Sequence, residues 1–316
     1  MKLFAYSFLI FFVAVQVLNL YFKEYIENSD FIVRNTKISI LPEKVKDGAV
    51  VSFGDSTNMS SFIPPATGEW FNLALPCGSS FENYTVLRRL LKRNIQLKKV
   101  ILSFHYEMLF NVENCFFDLT LKHNIFKFSE LQPVFDDESL RSYSPLLKSS
   151  FLNYSDLVLS QLNLLSGQIE NLKVKNYSLN YTENQTVKSS IDRDFGFYSV
   201  GDVKEFPFTV SQLVGDQVKM HPITLNYLEK MISELNERKI PIVFVNPPYG
   251  KMYEPYVSAA LFKEFERLMK EFEIKYSFFK YLPDELFLDK EYFHDRVHAN
   301  VEGAKLYTSW LLSRVQ

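Results

Sequence analysis

Cysteine, glycine and any excess of charge are what this sequence has least of. Its 316 residues include two cysteines, Cys77 and Cys115. Two cannot build a disulfide framework; they either pair once in an oxidising compartment or lie as two buried thiols. Thirty-five Lys and Arg stand against 37 Asp and Glu, a net charge of -2 with a pI near 6.3. That balance excludes a basic surface for nucleic acid as the main function. Glycine is scarce (10) while Phe (30) and Tyr (18) are abundant. Together with many Lys, Asn and Ile residues, this is the bias of an AT-rich genome rather than an aromatic binding surface. Among the five histidines, His105, His123, His221 and His294 show no metal-ligand spacing. The one local pair, His294 and His298, sits in a loop without a further ligand, so no metal and no other cofactor is expected.

What the sequence does contain begins at residue 3. Leu3 to Phe22 is an uncharged apolar run of 20 residues, interrupted by Ser7, Gln16 and Asn19. Roughly 20 residues cross a bilayer as a helix, whereas the apolar part of a cleavable signal is about 7–15. Val13-Ala14-Val15 is a poor cleavage site. Residues 1–22 are therefore read as a retained anchor, ahead of a cleaved signal or a buried core helix. Lys2 precedes the run; Lys23, Glu24, Glu27 and Asp30 follow it. This weak bias favours a single-pass protein of the cytoplasmic membrane with its bulk outside the cytoplasm.

Residues 23–47 are polar and mixed, a stalk or a first short element, here taken as a linker to a domain over 48–316. With 47% hydrophobic residues the chain can form a substantial core. Strands are expected at 49–53, 71–75, 100–104, 240–245 and 274–279, and helices at 81–97, 222–238, 258–272 and 301–312. The alternation predicts an α/β domain with a mostly parallel sheet covered on both faces. Residues 110–220 break the rhythm and read as a long insertion, a lid or a substrate-facing subdomain. Their N-x-S/T triplets at Asn153, Asn176, Asn180 and Asn184, like those at Asn58 and Asn83, are read as chance matches in an Asn-rich chain.

In open parallel sheets, sites form beyond the carboxyl ends of the strands. Ser56, Gly78, His105 and Asn246 fall there, and Asp295 and His298 come from the loop after the last strand. A serine hydroxyl needs a base to become a nucleophile. His298 is that base, because imidazole titrates near neutrality. Asp295 can hold the other ring nitrogen and stabilise the imidazolium. Negative charge developing on an attacked carbonyl needs converging N–H donors. The Ser56 amide is one candidate and the Gly78 amide a second, since glycine permits close backbone approach.

Three blocks stand in order: V-V-S-F-G-D-S-T-N at 50–58, Gly78 after the second strand, and D-R-V-H-A-N-V-E-G-A at 295–304. This combination resembles the SGNH (GDSL) hydrolase superfamily over residues 48–105 and 222–314. The resemblance implies a flavodoxin-like three-layer sandwich, Ser56 as nucleophile, Asp295 and His298 completing a triad, and Gly78 in the oxyanion hole. The family's third block, G-x-N-D, supplies an Asn donor. Here that place reads Ser103-Phe104-His105-Tyr106-Glu107, and Asn111 comes several residues late. His105 or Tyr106 would have to substitute, or the hole has two donors. Loss of one such donor costs roughly 100- to 1,000-fold in rate where tested.

With an anchor and a degenerate third block, the chain is similar to the membrane-anchored SGNH-like branch, which includes the alginate O-acetylation and D-alanyl-lipoteichoic-acid transfer proteins. That likeness implies acyl transfer onto an envelope glycan, alongside a membrane-bound O-acyltransferase. Hydrolysis of an acyl-bearing substrate by an extracytoplasmic esterase, and a non-catalytic envelope assembly protein, are the competing readings.

Overall fold

Short apolar runs become the parallel strands of one five-stranded sheet: β1 (Val50–Gly54), β2 (Trp70–Asn72), β3 (Lys99–Ser103), β4 (Ile242–Val245) and, after a two-residue strand β5 (Tyr249–Gly250), β6 (Phe279–Leu282). The computed structural model describes residues 29–109, 126, 130, 177–199, 222–251 and 259–315. The strand order is β2-β1-β3-β4-β6, all neighbours parallel. This is the α/β arrangement of a doubly wound sheet of flavodoxin-like order. A second two-stranded sheet pairs β5 with β7 (Phe287–Leu288).

Buried strands need apolar residues on both sides, and the central strands β1, β3 and β4 have them. The described helices are α1 (Ser29–Asn35), α2 (Ser56–Ser61), α3 (Ser80–Lys92), α4 (Tyr177–Arg193), α5 (Pro222–Glu237), α6 (Ala259–Lys275) and α7 (Val301–Val315). Val50, Ile101, Val243 and Val245 share one face and pack with Tyr307, Leu311 and Val315 of α7. Full burial of Leu311 or Val315 stabilises by roughly 1.5–3 kcal/mol each. On the opposite face Phe244 and Tyr281 meet Phe265 of α6, with ring centroids 5.6 Å apart in both pairs. Helices α3 and α5 lie side by side, and Phe81 meets Tyr227 edge-on at 4.8 Å.

The chain forms two compact units, Met1–Val33 with Phe117–Ser189, and Arg34–Phe116 with Ser190–Gln316. The sheet belongs to the second. In the first, the described residues are chiefly the start of α1 and α4 up to Ser189. Among the described residues no helix is long and apolar enough to cross a membrane. The apolar run over 3–22 lies outside them, as does most of 110–220.

Several boundaries differ from expectation. The expected strand at 274–279 is displaced: α6 runs on to Lys275, Ile274 is 87% exposed, and the strand is Phe279–Leu282. Helix α3 ends at Lys92 rather than near residue 97, because Asn94 adopts a left-handed φ of 57°. The end of the expected linker is core. Ile38 and Leu41 are fully buried, and so are Arg34 and Lys37, the lysine Nζ donating to Asn72 O at 2.8 Å. The end of the expected insertion also joins the main unit: Asn72 N–H donates to Phe195 O at 2.8 Å, extending the edge of β2. Gly196 (φ +101°) is needed there, since a Cβ would lie 2.0 Å from Asn72 O.

Candidate active site

Strand β1 stops where β3 comes closest. A Cβ on Gly54 would stand 1.9 Å from Ser103 O, so only glycine closes the strand. Asp55 then leaves the sheet in an extended conformation and caps α2, its Oδ1 accepting from Thr57 N–H at 2.9 Å. Its Oδ2 accepts from His105 N–H at 2.7 Å, tying the ends of β1 and β3 together. Ser56 is the first residue of α2, where a backbone N–H has no intrahelical acceptor. It is half-buried.

Asp295 and His298 come from the segment before α7, shaped by its own backbone. Phe293 and Ala299 form an antiparallel bridge, and His294 N–H donates to His298 O at 2.8 Å. Asn300 accepts from Gly303 N–H at 3.0 Å, capping α7, and its amide donates to Glu291 O at 2.6 Å. Gly303 lets Tyr292 O approach to where a Cβ would be 2.2 Å away. Thus the Asn and Gly of the closing motif act as a clasp, and the clasp presents Asp295 and His298.

The result is a continuous relay. His298 Nε2 lies 2.8 Å from Ser56 Oγ, and His298 Nδ1 lies 2.7 Å from Asp295 Oδ2. Asp295 Oδ1 accepts from the N–H groups of Val297 (2.9 Å) and His298 (2.8 Å). Burial pushes the Asp295 carboxyl up, but the hydrogen bond from His298, its charge and the two backbone bonds more than offset this and hold it down at about 2. Asp295 is therefore ionised at neutral pH, so His298 is oriented with Nδ1 donating and Nε2 free to accept the serine proton. Both ring nitrogens of His298 are committed to these bonds. Among the described residues no group of three or more His, Cys, Asp or Glu could hold a metal ion.

Gly78 stands beside β1 as expected, but for a steric reason first. A Cβ would lie 2.7 Å from Leu75 Cβ and 2.9 Å from Gly54 O. Its N–H donates to Leu75 O at 3.0 Å, closing the turn Leu75-Pro76-Cys77-Gly78. Cys77, at φ 52°, holds the left-handed position of that turn and is disulfide-bonded. Leu75 N–H in turn donates to Gly54 O at 3.1 Å.

His105 and Tyr106 occupy the third block. His105 is 7% exposed; its ring stacks on Tyr106 and meets Tyr249 edge-on, both at 5.2 Å. Burial lowers its pKa to about 4; the nearby Asp55 carboxylate opposes this and His298 adds to it. The imidazole is therefore neutral near pH 7, a state in which it can still donate one N–H. Tyr106 is 1% exposed, its ring packed among His105, Phe262 and Phe265. Asn111 lies outside the described residues. Asn246 is buried beyond β4, donating to Tyr281 Oη at 3.2 Å and accepting on its backbone carbonyl from Tyr307 Oη at 3.2 Å.

Sequence reasoning missed the asparagines that brace this edge. Asn83 accepts from Gly54 N–H (3.2 Å) and donates to Gly54 O (3.1 Å) and Ser79 O (2.7 Å). Asn58 donates to Ser52 Oγ at 2.7 Å. Both are fully buried, so neither N-x-S/T triplet is a glycan acceptor in the folded domain. The bracing by Ser79 and Glu82 was legible as S-S-F-E, a capping box that the structure contains. No protein-family model and no curated protein matches the chain.

Proposed function

We propose that the chain is a membrane-anchored SGNH-like acyltransferase that moves an acyl group, such as O-acetyl, to a cell-envelope glycan through an acyl-serine. The observation that carries this reading is the unbroken Ser56–His298–Asp295 relay at 2.8 and 2.7 Å. His298 Nε2 takes the Ser56 proton as Oγ attacks the acyl carbonyl. The tetrahedral oxyanion accepts from the Ser56 amide and, by sharing its N–H, from Gly78; the neutral His105 ring is the candidate third donor. Collapse breaks the bond to the leaving group, which takes the proton from His298 and leaves acyl-Ser56. A glycan hydroxyl then attacks, its proton passing to His298 and on to Ser56 Oγ. Asp295 stays ionised throughout. The apolar run at 3–22 is the membrane anchor in this reading, the domain lies outside the cytoplasm, and a membrane-bound O-acyltransferase supplies the acyl group. The disulfide at Cys77 supports an oxidising compartment.

Hydrolysis is the second reading, and one observation favours it. The side chains of His298 and Asp295 are 20% and 28% exposed, so water can reach the acyl-serine. Labelling the full-length chain with a fluorophosphonate tests both: wild type should label, and Ser56→Ala and His298→Ala should not. No Ser56-dependent labelling would leave a non-catalytic assembly role. Acyl content of the envelope glycans with and without the gene then gives the direction, loss meaning transfer and accumulation meaning hydrolysis.

A further inference from the structure

Arg34 and Glu82 form an ion pair in which both side chains are fully buried. The guanidinium reaches further. Its second terminal nitrogen donates to Pro76 O and, at 3.3 Å, to Cys77 O. The other Glu82 oxygen accepts from Ser79 N–H and Ser79 Oγ, each at 3.0 Å. One buried pair therefore grips the turn that carries Gly78 from both ends.

Peptide planarity gives this grip a consequence. Cys77 C=O and Gly78 N–H are opposite ends of one plane, and so are Pro76 C=O and Cys77 N–H. A group that fixes the carbonyl oxygens fixes where the two N–H groups point. A cation at the oxygen end also polarises the peptide and strengthens its donor end. Packing alone does not require such a pair, since apolar residues of similar volume fill a core at least as stably. Cys77 is meanwhile held at φ 52°, a conformation that a non-glycine residue rarely adopts without support.

We infer that Arg34 is a positioning residue for the oxyanion-binding turn: it holds the Pro76 and Cys77 carbonyls so that the Gly78 amide can be shared between Leu75 O and a developing oxyanion. This inference rests on the acyl-serine reading. Its test is turnover of p-nitrophenyl acetate and fluorophosphonate labelling by the full-length chain, comparing wild type with Arg34→Lys and with the double variant Arg34→Gln, Glu82→Gln. Lysine keeps the charge but loses the fork; the double variant leaves no buried charge unpaired. Both should melt cooperatively yet lose about 10- to 100-fold in kcat, with KM and the pH profile of kcat unchanged, because the oxyanion contact is made in the transition state and the triad is untouched. A folded variant with wild-type kcat overturns the inference while leaving the acyl-serine reading intact. Failure of both variants to fold makes Arg34 a structural residue and also overturns it. A wild type without Ser56-dependent turnover or labelling defeats the acyl-serine reading itself, and the inference with it.

Discussion

At the scale of single residues, the relay depends on Asp295 remaining an anion that only accepts. Replacing it by Asn keeps the shape but offers a donor on one side and lets His298 adopt the wrong tautomer. Where this exchange has been made in a serine triad the loss was roughly 10⁴-fold in kcat. Asp295→Asn should fall by a comparable factor with little change in KM, measured by ester turnover. A loss under about tenfold would mean that the aspartate does not orient the base. His105 makes a separate, pH-dependent claim. Its pKa is lowered by burial to about 4 from an ordinary 6.5, against the raising effect of Asp55. Between those values the unfolded chain takes up a proton that the folded chain refuses. Stability is thus complete above about pH 6.5, declines as pH falls, and is lost by about pH 4, a span worth on the order of 3 kcal/mol. His105→Phe cannot titrate and keeps the backbone bond to Asp55. Denaturant unfolding at several pH values should show wild type losing stability relative to this variant between pH 6.5 and 4, and a constant gap would refute the assignment.

At the scale of elements, Ser56 rides on a strand end and His298 on a clasp. Asn300 serves α7 and the preceding turn together, through Gly303 N–H and Glu291 O. Asn300→Ala removes both bonds and should cost about 1–2 kcal/mol in stability. It should cost more in turnover than that loss implies, because the clasp aims His298; equal kcat in the folded variant would separate clasp from chemistry. These elements differ in how plainly they could be read. The closing helix and the strand before Gly54 were legible because their apolar spacing matches a helix or an uninterrupted buried strand. Residues 34–44 were not. Arg34 and Lys37 mark a segment as surface by composition, yet both are fully buried. Their partners, Glu82 and Asn72 O, lie 48 and 35 residues away, beyond any local pattern. The strand at 279–282 was displaced for a related reason. It is an edge strand alternating Phe279, exposed Lys280 and Tyr281, a weaker signal than the aromatic-rich helix before it.

At the scale of the whole molecule, a parallel sheet gathers residues 56, 78, 105 and 246 at one edge because every strand points the same way. That convergence was legible from the alternation of strands and helices. The third block was not, because a donor can be a side chain, a ring or a backbone amide, and spacing does not say which. Setting is the remaining property of the whole chain, and it joins two observations that neither explains alone. The run at 3–22 has the length of a spanning helix, and Cys77 is disulfide-bonded in a chain whose only other cysteine is Cys115. A bond of this kind persists outside the reducing cytoplasm. If the anchor holds the domain on that side, three results should coincide for the native chain in cells. It should resist extraction from membranes by alkaline carbonate, and protease added outside the cytoplasmic membrane should digest the domain. A maleimide-polyethylene glycol should add to no cysteine until a reductant is supplied, and then to both. A domain shielded from protease, with both thiols reactive from the start, would put the chemistry in the cytoplasm and remove the envelope glycan as acceptor.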